Sequence, residues 1–245
     1  MTSSGYLRYP HIHGDLLVFA SEDDIWLAPA DGGRAWRLSA DSAQVSYPRF
    51  SRDGARIAWT SWRDGSPEVY TADPDGNAAA RLSYLSDART RVAGWTRDGE
   101  VLAVSAAGQP QSYLTWAYAI PLEGAPPRRL PFGPVADLAL EETGTALLTG
   151  RMNNEPAFWK RYRGGTHGKL WTASAGSAIS LPPASSVHGG LPPPVPPGPT
   201  SGPVFTQVLT DLGGQLAAPM LIGGRLFFLS DHEGTGNIYS CALDG

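Results

Sequence analysis

The chain of 245 residues carries 19 Lys and Arg against 23 Asp and Glu, a net charge of −4, with 42% hydrophobic residues, 29 Gly and 22 Pro. That balance can bury a core, while the turn formers imply many short elements joined by tight turns. The acidic charge excludes a global field for nucleic acid or an anionic membrane, and the single cysteine, Cys241, excludes an internal disulfide and any CxxC metal or redox motif.

The N-terminal stretch MTSSGYLRYPHIHGD lacks an apolar core of signal-peptide length, and no later stretch approaches a membrane span. A cytoplasmic protein is the expectation. From His13 onward the chain repeats itself. HGDLLVFASEDDIWLAPADGGRAWRLS (13–39) is a first copy and FSRDGARIAWTSWRDGSPEVYTADPDGNAAARLS (50–83) the clearest one. In the latter a DG turn leads into an alternating strand at Ala55–Ser61, a polar turn, a strand at Glu68–Ala72, the turn DPDG and a last strand ending in RLS. WTRDGEVLAVSAAGQPQSYLTWAYAIPLEGAPPRRLP (95–131) is a third copy and EETGTALLTGRMNNEPAFWKRYRGGTHGKLWTAS (141–174) a fourth with an enlarged middle. IGGRLFFLSDHEGTGNIYSCALDG (222–245) begins a fifth.

The turn glycines Gly14, Gly54, Gly99 and Gly144 are spaced by 40, 45 and 45 residues. Each unit reads as three or four short strands with two distinct faces. One four-stranded sheet cannot bury both faces, so neighbouring units must stack, and a repeat of this length means blades of a β-propeller. A β-sandwich would explain the strands but not the regular recurrence of the DG turn. The expected fold is therefore all-β: a propeller of four-stranded blades, about five present of an implied six, with an incomplete ring.

From Gly144 to Gly224 the interval is 80 residues, and the excess falls in LPPASSVHGGLPPPVPPGPTSGPV (181–204), which holds nine prolines. Proline at that density opposes ladder bonding and favours solvated extended chain, so this segment is expected to be a disordered surface excursion from the fourth blade. At the other end, Gly245 falls where earlier copies go on to their final strand. The expectation is a part of a longer protein, or a truncated product.

The stretch FWKRYRGGTHGKLW (158–171) invites chemical readings. A phosphate loop needs a glycine five residues before GK and a Ser or Thr after it, but Arg163 and Leu170 occupy those places. Lys160, Arg161, Arg163 and Lys169 interleaved with Phe158, Trp159 and Tyr162 fit a single-strand nucleic-acid patch in kind. The acidic chain argues against it, and packing aromatics with charges at the rim are preferred. His11, His13 and Asp15 supply too few converging ligands for a metal site, and in SDHEGTG (230–236) Ser, Asp, His and Glu are sequential rather than a spatial triad. No G-x-S-x-G elbow occurs. No cofactor and no catalytic residue is assigned. One local basic cluster remains, Arg89 and Arg91 in the connection between the second and third blades. Two guanidiniums there can bind a carboxylate through charge-assisted hydrogen bonds, or stand as solvated loop arginines.

HGDLLVFASEDDIW, FSRDGARIAW, DLGGQLAAPMLIGGRLFFLSDHEGTGNIYS and above all FWKRYRGGTHGKLW resemble the N-terminal propeller of tricorn proteases, the actinobacterial members especially. The resemblance covers nearly the whole chain except the proline-rich segment. It implies a six-bladed N-terminal propeller in a longer cytosolic serine peptidase, hexameric and without a metal or organic cofactor, that trims oligopeptides. The catalytic machinery of that family lies beyond Gly245, so this chain alone is expected to be non-catalytic. The resemblance further implies that Arg89 and Arg91 sit where the family's basic pair anchors the substrate's C-terminal carboxylate, although here Thr90 separates them. The alternative is an independent propeller that binds a protein partner.

Overall fold

The computed structural model describes residues 5–40, 42–141, 144–150, 164, 167–174 and 204–244. Most of 158–171 and of 181–204, both singled out by sequence, lie outside the described residues.

All regular structure among the described residues is β, arranged in five antiparallel sheets. The first contains β1 (Leu7–His13), β2 (Leu16–Ser21), β3 (Asp24–Pro29) and β4 (Trp36–Arg37); the second, β5 (Val45–Phe50), β6 (Ile57–Ser61), β7 (Glu68–Ala72) and β8 (Ala80–Arg81). The third holds β9 (Arg91–Trp95), β10 (Val101–Ser105), β11 (Trp116–Ile120) and β12 (Arg128–Arg129). The fourth holds β13 (Asp137–Glu141), β14 (Gly144–Thr149), β15 (Lys169–Ser174) and β16 (Thr206–Val208). The fifth has three strands, β17 (Leu216–Ile222), β18 (Arg225–Ser230) and β19 (Asn237–Ala242). Each sheet runs in strict chain order, the up-and-down order of a propeller blade. The proline-rich segment falls between β15 and β16, which pair with each other at Leu170↔Val208 and Thr172↔Thr206. The chain therefore leaves and re-enters the same sheet.

Two compact units divide the chain, one made of Met1–Ser112 with Tyr118–Arg128, the other of Tyr113–Ala117 with Arg129–Gly245. In the first, Val18, Ile25 and Leu27 pack with Val45, Ile57, Trp59 and Tyr70 into one core. Every residue of β6, β7 and β10 is buried, so these strands are covered on both faces. That is the consequence of stacking sheet on sheet, and it hides the alternation that an edge sheet would display. In the second unit Leu148, Leu170 and Val208 pack with Leu216, Leu226 and Phe228.

The DG turns are self-contained devices. Gly54 N–H donates to Ser51 O at 3.0 Å, Arg56 N–H donates to Ser51 Oγ at 2.9 Å, and Asp53 Oδ1 accepts from Ser51 Oγ and Ala55 N. The Ser51 hydroxyl first, then the Ala55 amide, holds the Asp53 carboxyl below its ordinary pKa. Thr96 repeats the device at the third blade, accepting from Glu100 N at 3.0 Å. Gly54 has φ +71, and a Cβ there would lie 2.4 Å from the His13 ring, so glycine is required on both counts.

A second recurring device is visible only in the structure. In β1, β5 and β17 the register shifts at Tyr9-Pro10, Tyr47-Pro48 and Ala218-Pro219. The residue before each proline has positive φ: Tyr9 55°, Tyr47 52°, Ala218 48°. A bulge re-aims a side chain, and here Tyr9 meets Tyr47 with ring centroids 4.3 Å apart and planes tilted by 36°.

Candidate functional site

The Arg-Leu-Ser endings are clamps. In the second blade Glu68 opens β7 and is fully buried. Its carboxylate accepts the Ser83 hydroxyl, Leu85 N at 2.9 Å and Ser86 N at 2.8 Å, and pairs with Arg81 at 3.2 Å. Ser83 Oγ in turn accepts from Val69 N at 2.9 Å. Every buried polar group of the clamp thus has a partner, the condition under which a buried carboxylate is tolerated. Arg81 also reaches Asp64 at 2.9 Å and lies over the exposed Tyr84 ring. Tyr70 donates its hydroxyl to Asp64; this bond is the largest influence lowering the Asp64 carboxyl, while burial first and Asp64 second push the Tyr70 phenol up to about 12.

These contacts fix the near half of the connection from β8 to β9. Asp87 fixes the far half. Its Oδ2 accepts from Ala106 N at 2.7 Å, Ser105 Oγ at 3.0 Å and Arg89 N at 3.2 Å, and its carbonyl accepts from Thr90 N at 3.0 Å. Thr90 is buried with its hydroxyl 2.9 Å from Ser105 Oγ. In an antiparallel meander the second hairpin and the connection to the next sheet emerge at the same end of the blade. Arg89 and Asp64 accordingly belong to one end of the second blade.

The two arginines singled out by sequence have different surroundings. Arg89 is exposed at the turn, and among the described residues its side chain makes no hydrogen bond or ion pair. Arg91, the first residue of β9, is 5% exposed, and its guanidinium lies 5.3 Å from the Tyr47 ring centroid. It extends the tilted Tyr9–Tyr47 pair, whose other end meets Arg8 at 5.8 Å from the Tyr9 ring. Sequence reading missed Glu68, Asp87 and Tyr47. The first had a signal, an acid at the start of the third strand ahead of each of the first two RLS endings; the third had another, the repeated Tyr-Pro.

His11 and His13 flank Phe50 rather than a shared ligand. His11 Nδ1 accepts from Phe50 N at 3.3 Å, and burial first, then Arg49 and His13, lowers its pKa from 6.5 to about 4. SDHEGTG is the hairpin between β18 and β19, and Asp231 Oδ1 accepts from Gln215 N at 2.8 Å. Gln215 Oε1 accepts from Gly168 N at 2.9 Å. A Cβ at Gly168 would lie 2.0 Å from Leu216 O, and one at Gly214 would lie 2.7 Å from His232 Cβ. The described end of GGTHGK, the stretch DLGGQL and the hairpin SDHEG are therefore one packed cluster, drawn from two of the stretches that carry the family resemblance.

The family model for the tricorn protease N-terminal beta propeller domain matches residues 4–185. The chain belongs to this family. It is 48% identical over 242 residues to tricorn protease homolog 1 of Streptomyces coelicolor, covering 98% of this chain and 20% of that protein. The crystal structure of the tricorn protease superposes with a TM-score of 0.78 at 26% identity, over 98% of this chain and 22% of that one. A tricorn-like protease N-terminal subunit of Sulfurisphaera tokodaii is 29% identical over 171 residues, which is 68% of this chain and 85% of that protein. The chain spans about a fifth of the length of the Streptomyces relative. Its membership agrees with the all-β blades and with the tricorn resemblance of the sequence.

Proposed function

We propose that this chain is a non-catalytic propeller module of a tricorn-like serine peptidase of the cytosol, hexameric as a whole, that degrades oligopeptides. The module guides or anchors peptides through the connection between its second and third blades. The observation carrying this reading is Arg89, an exposed guanidinium with no ion pair among the described residues, displayed by a turn whose backbone is fixed on both sides. A guanidinium matches a terminal carboxylate in charge and hydrogen-bond geometry. Arg91 belongs to the same proposal in a second role, since its burial against Tyr47 suits it to supporting the turn and adding positive potential.

The test is peptide binding to the 245-residue chain, with each peptide supplied as free acid and as C-terminal amide. Arg89→Ala is expected to remove the preference for the free acid, by about ten-fold or more for a charge-assisted pair. Equal binding of acid and amide by the unaltered chain would overturn the anchoring role.

A second reading is a separately encoded propeller that binds a protein partner. It is favoured by the similarity to a Sulfurisphaera chain named as an N-terminal subunit, of which the aligned residues make up 85%. Co-purification of the tagged chain with a peptidase from its own cells supports association in trans, whereas a continuous coding sequence places both in one polypeptide.

A further inference from the structure

Resting on that reading, we propose that Asp87 is the positioning residue of the anchor: its carboxylate makes the turn at 87–90 a rigid mount for the Arg89 guanidinium. One oxygen, Oδ2, gathers the Arg89 amide at 3.2 Å, the Ser105 hydroxyl at 3.0 Å and the Ala106 amide at 2.7 Å. It thereby joins the turn to the end of β10, a strand buried along its whole length. Thr90 locks the other side of the turn through its N–H to Asp87 O and its hydroxyl beside Ser105. Upstream, the Glu68 carboxylate holds Leu85 and Ser86. The residues on either side of Arg89 are thus tied down, while the Arg89 side chain is exposed and makes no hydrogen bond or ion pair among the described residues.

An aspartate two residues from an arginine ordinarily has the obvious role of neutralising it. The geometry points elsewhere, because Asp87 binds the Arg89 backbone and forms no ion pair with its guanidinium. Its Oδ2 is committed to N–H and O–H groups of the turn and of the end of β10. What it supplies is preorganisation, which raises affinity by removing the cost of ordering a loop when the ligand arrives.

The two roles predict opposite signs. Removing the Asp87 charge leaves the turn more positive, so a purely electrostatic role makes Asp87→Ala bind an anion more tightly. A positioning role makes the same change bind it more weakly. Binding of N-acetyl-trialanine, as free acid and as amide, to the full 245-residue chain at low ionic strength separates them. The free acid is expected to bind about three- to ten-fold more weakly to Asp87→Ala, as ordering a loop on binding costs, with the amide unchanged. Asp87→Asn keeps one acceptor oxygen and is expected to fall between. Ser105→Ala removes one donor to Asp87 without altering charge, and is expected to weaken the free acid in the same direction. It carries the test if Asp87→Ala does not fold.

Tighter or unaltered binding of the free acid in the folded Asp87 variants and in Ser105→Ala would overturn the positioning role. If Arg89→Ala abolishes the preference for the free acid while those variants retain it, the anchor stands and the positioning role falls. Failure of the unaltered chain to distinguish acid from amide overturns both.

Discussion

The first and second blades build the same clamp from nearly the same residues, and one methylene separates their consequences. Asp24 opens β3 as Glu68 opens β7, Ser39 and Ser83 each accept the next amide of that strand, and Arg37 and Arg81 pair with the acid. Asp24 meets Ser39 Oγ at 3.1 Å and Arg37 at 3.4 Å, with the Arg37 side chain 54% exposed. The longer Glu68 is completely buried and reaches past Ser83 to two amides of the inter-blade connection. A clamp that closes a strand edge in the first blade therefore also shapes a loop in the second. The third blade uses a different chemistry at this place. Trp116 opens β11, the Arg129 guanidinium lies 4.4 Å from its ring centroid, and Pro131 follows Leu130 where the earlier copies have serine.

The sharpest way to break the comparison is to delete both acids. Glu68→Ala strands the Ser83 hydroxyl and the Leu85 and Ser86 amides, and leaves Arg81 with Asp64 alone among the two carboxylates. A loss of about 3–5 kcal/mol in chemical denaturation is expected, as for breaking a buried pair. Asp24→Ala is expected to cost only about 1 kcal/mol, since its arginine partner is half-exposed and the pair is long at 3.4 Å. Equal losses would mean that burial of the acid does not distinguish the two blades.

Acid titration compares the junctions on either side of the second blade. The first-to-second junction contains His11 Nδ1 accepting from Phe50 N; the two bonds between neighbouring strands at the second-to-third, Val92 N to Thr60 Oγ1 and Trp95 Nε1 to Arg49 O, involve no titrating group. The folded His11 imidazole has its pKa lowered to about 4 against 6.5, so the unfolded chain takes up its proton first as the pH falls. Stability from the neutral ring is whole above pH 6.5 and is lost between there and about pH 4, by no more than about 3 kcal/mol. His11→Gln keeps an acceptor without a titrating group and is expected to flatten that slope. An unaltered slope would assign the pH dependence to other groups.

A smaller effect is expected from Glu68→Asp, which gives the second blade the acid of the first. The shorter side chain keeps Ser83 and Arg81 within range and gives up Leu85 and Ser86, at about 1–2 kcal/mol. Hydrogen exchange is expected to accelerate at residues 85–89 while β7 stays protected. Protection of both to the original degree would show that Asp87 alone holds the turn.

The sequence by itself determined the repeating unit, because the S/T-x-D-G turn is a local device. Ser51, Asp53 and Gly54 satisfy one another within a few residues, so the same letters recur wherever the turn does. It also carried the family, through GGTHGK, DLGGQL and SDHEG, whose glycines are explained by close backbone approach at Gly168 and Gly214. What only the tertiary structure decided is which side chains meet across blades. Arg89 and Arg91 are two residues apart and look equivalent in the sequence. One is exposed, and the other is buried against Tyr47 of the preceding blade, at a bulge in β5. Burial and bulge register depend on the neighbouring strand, and no spacing within one strand encodes its neighbour.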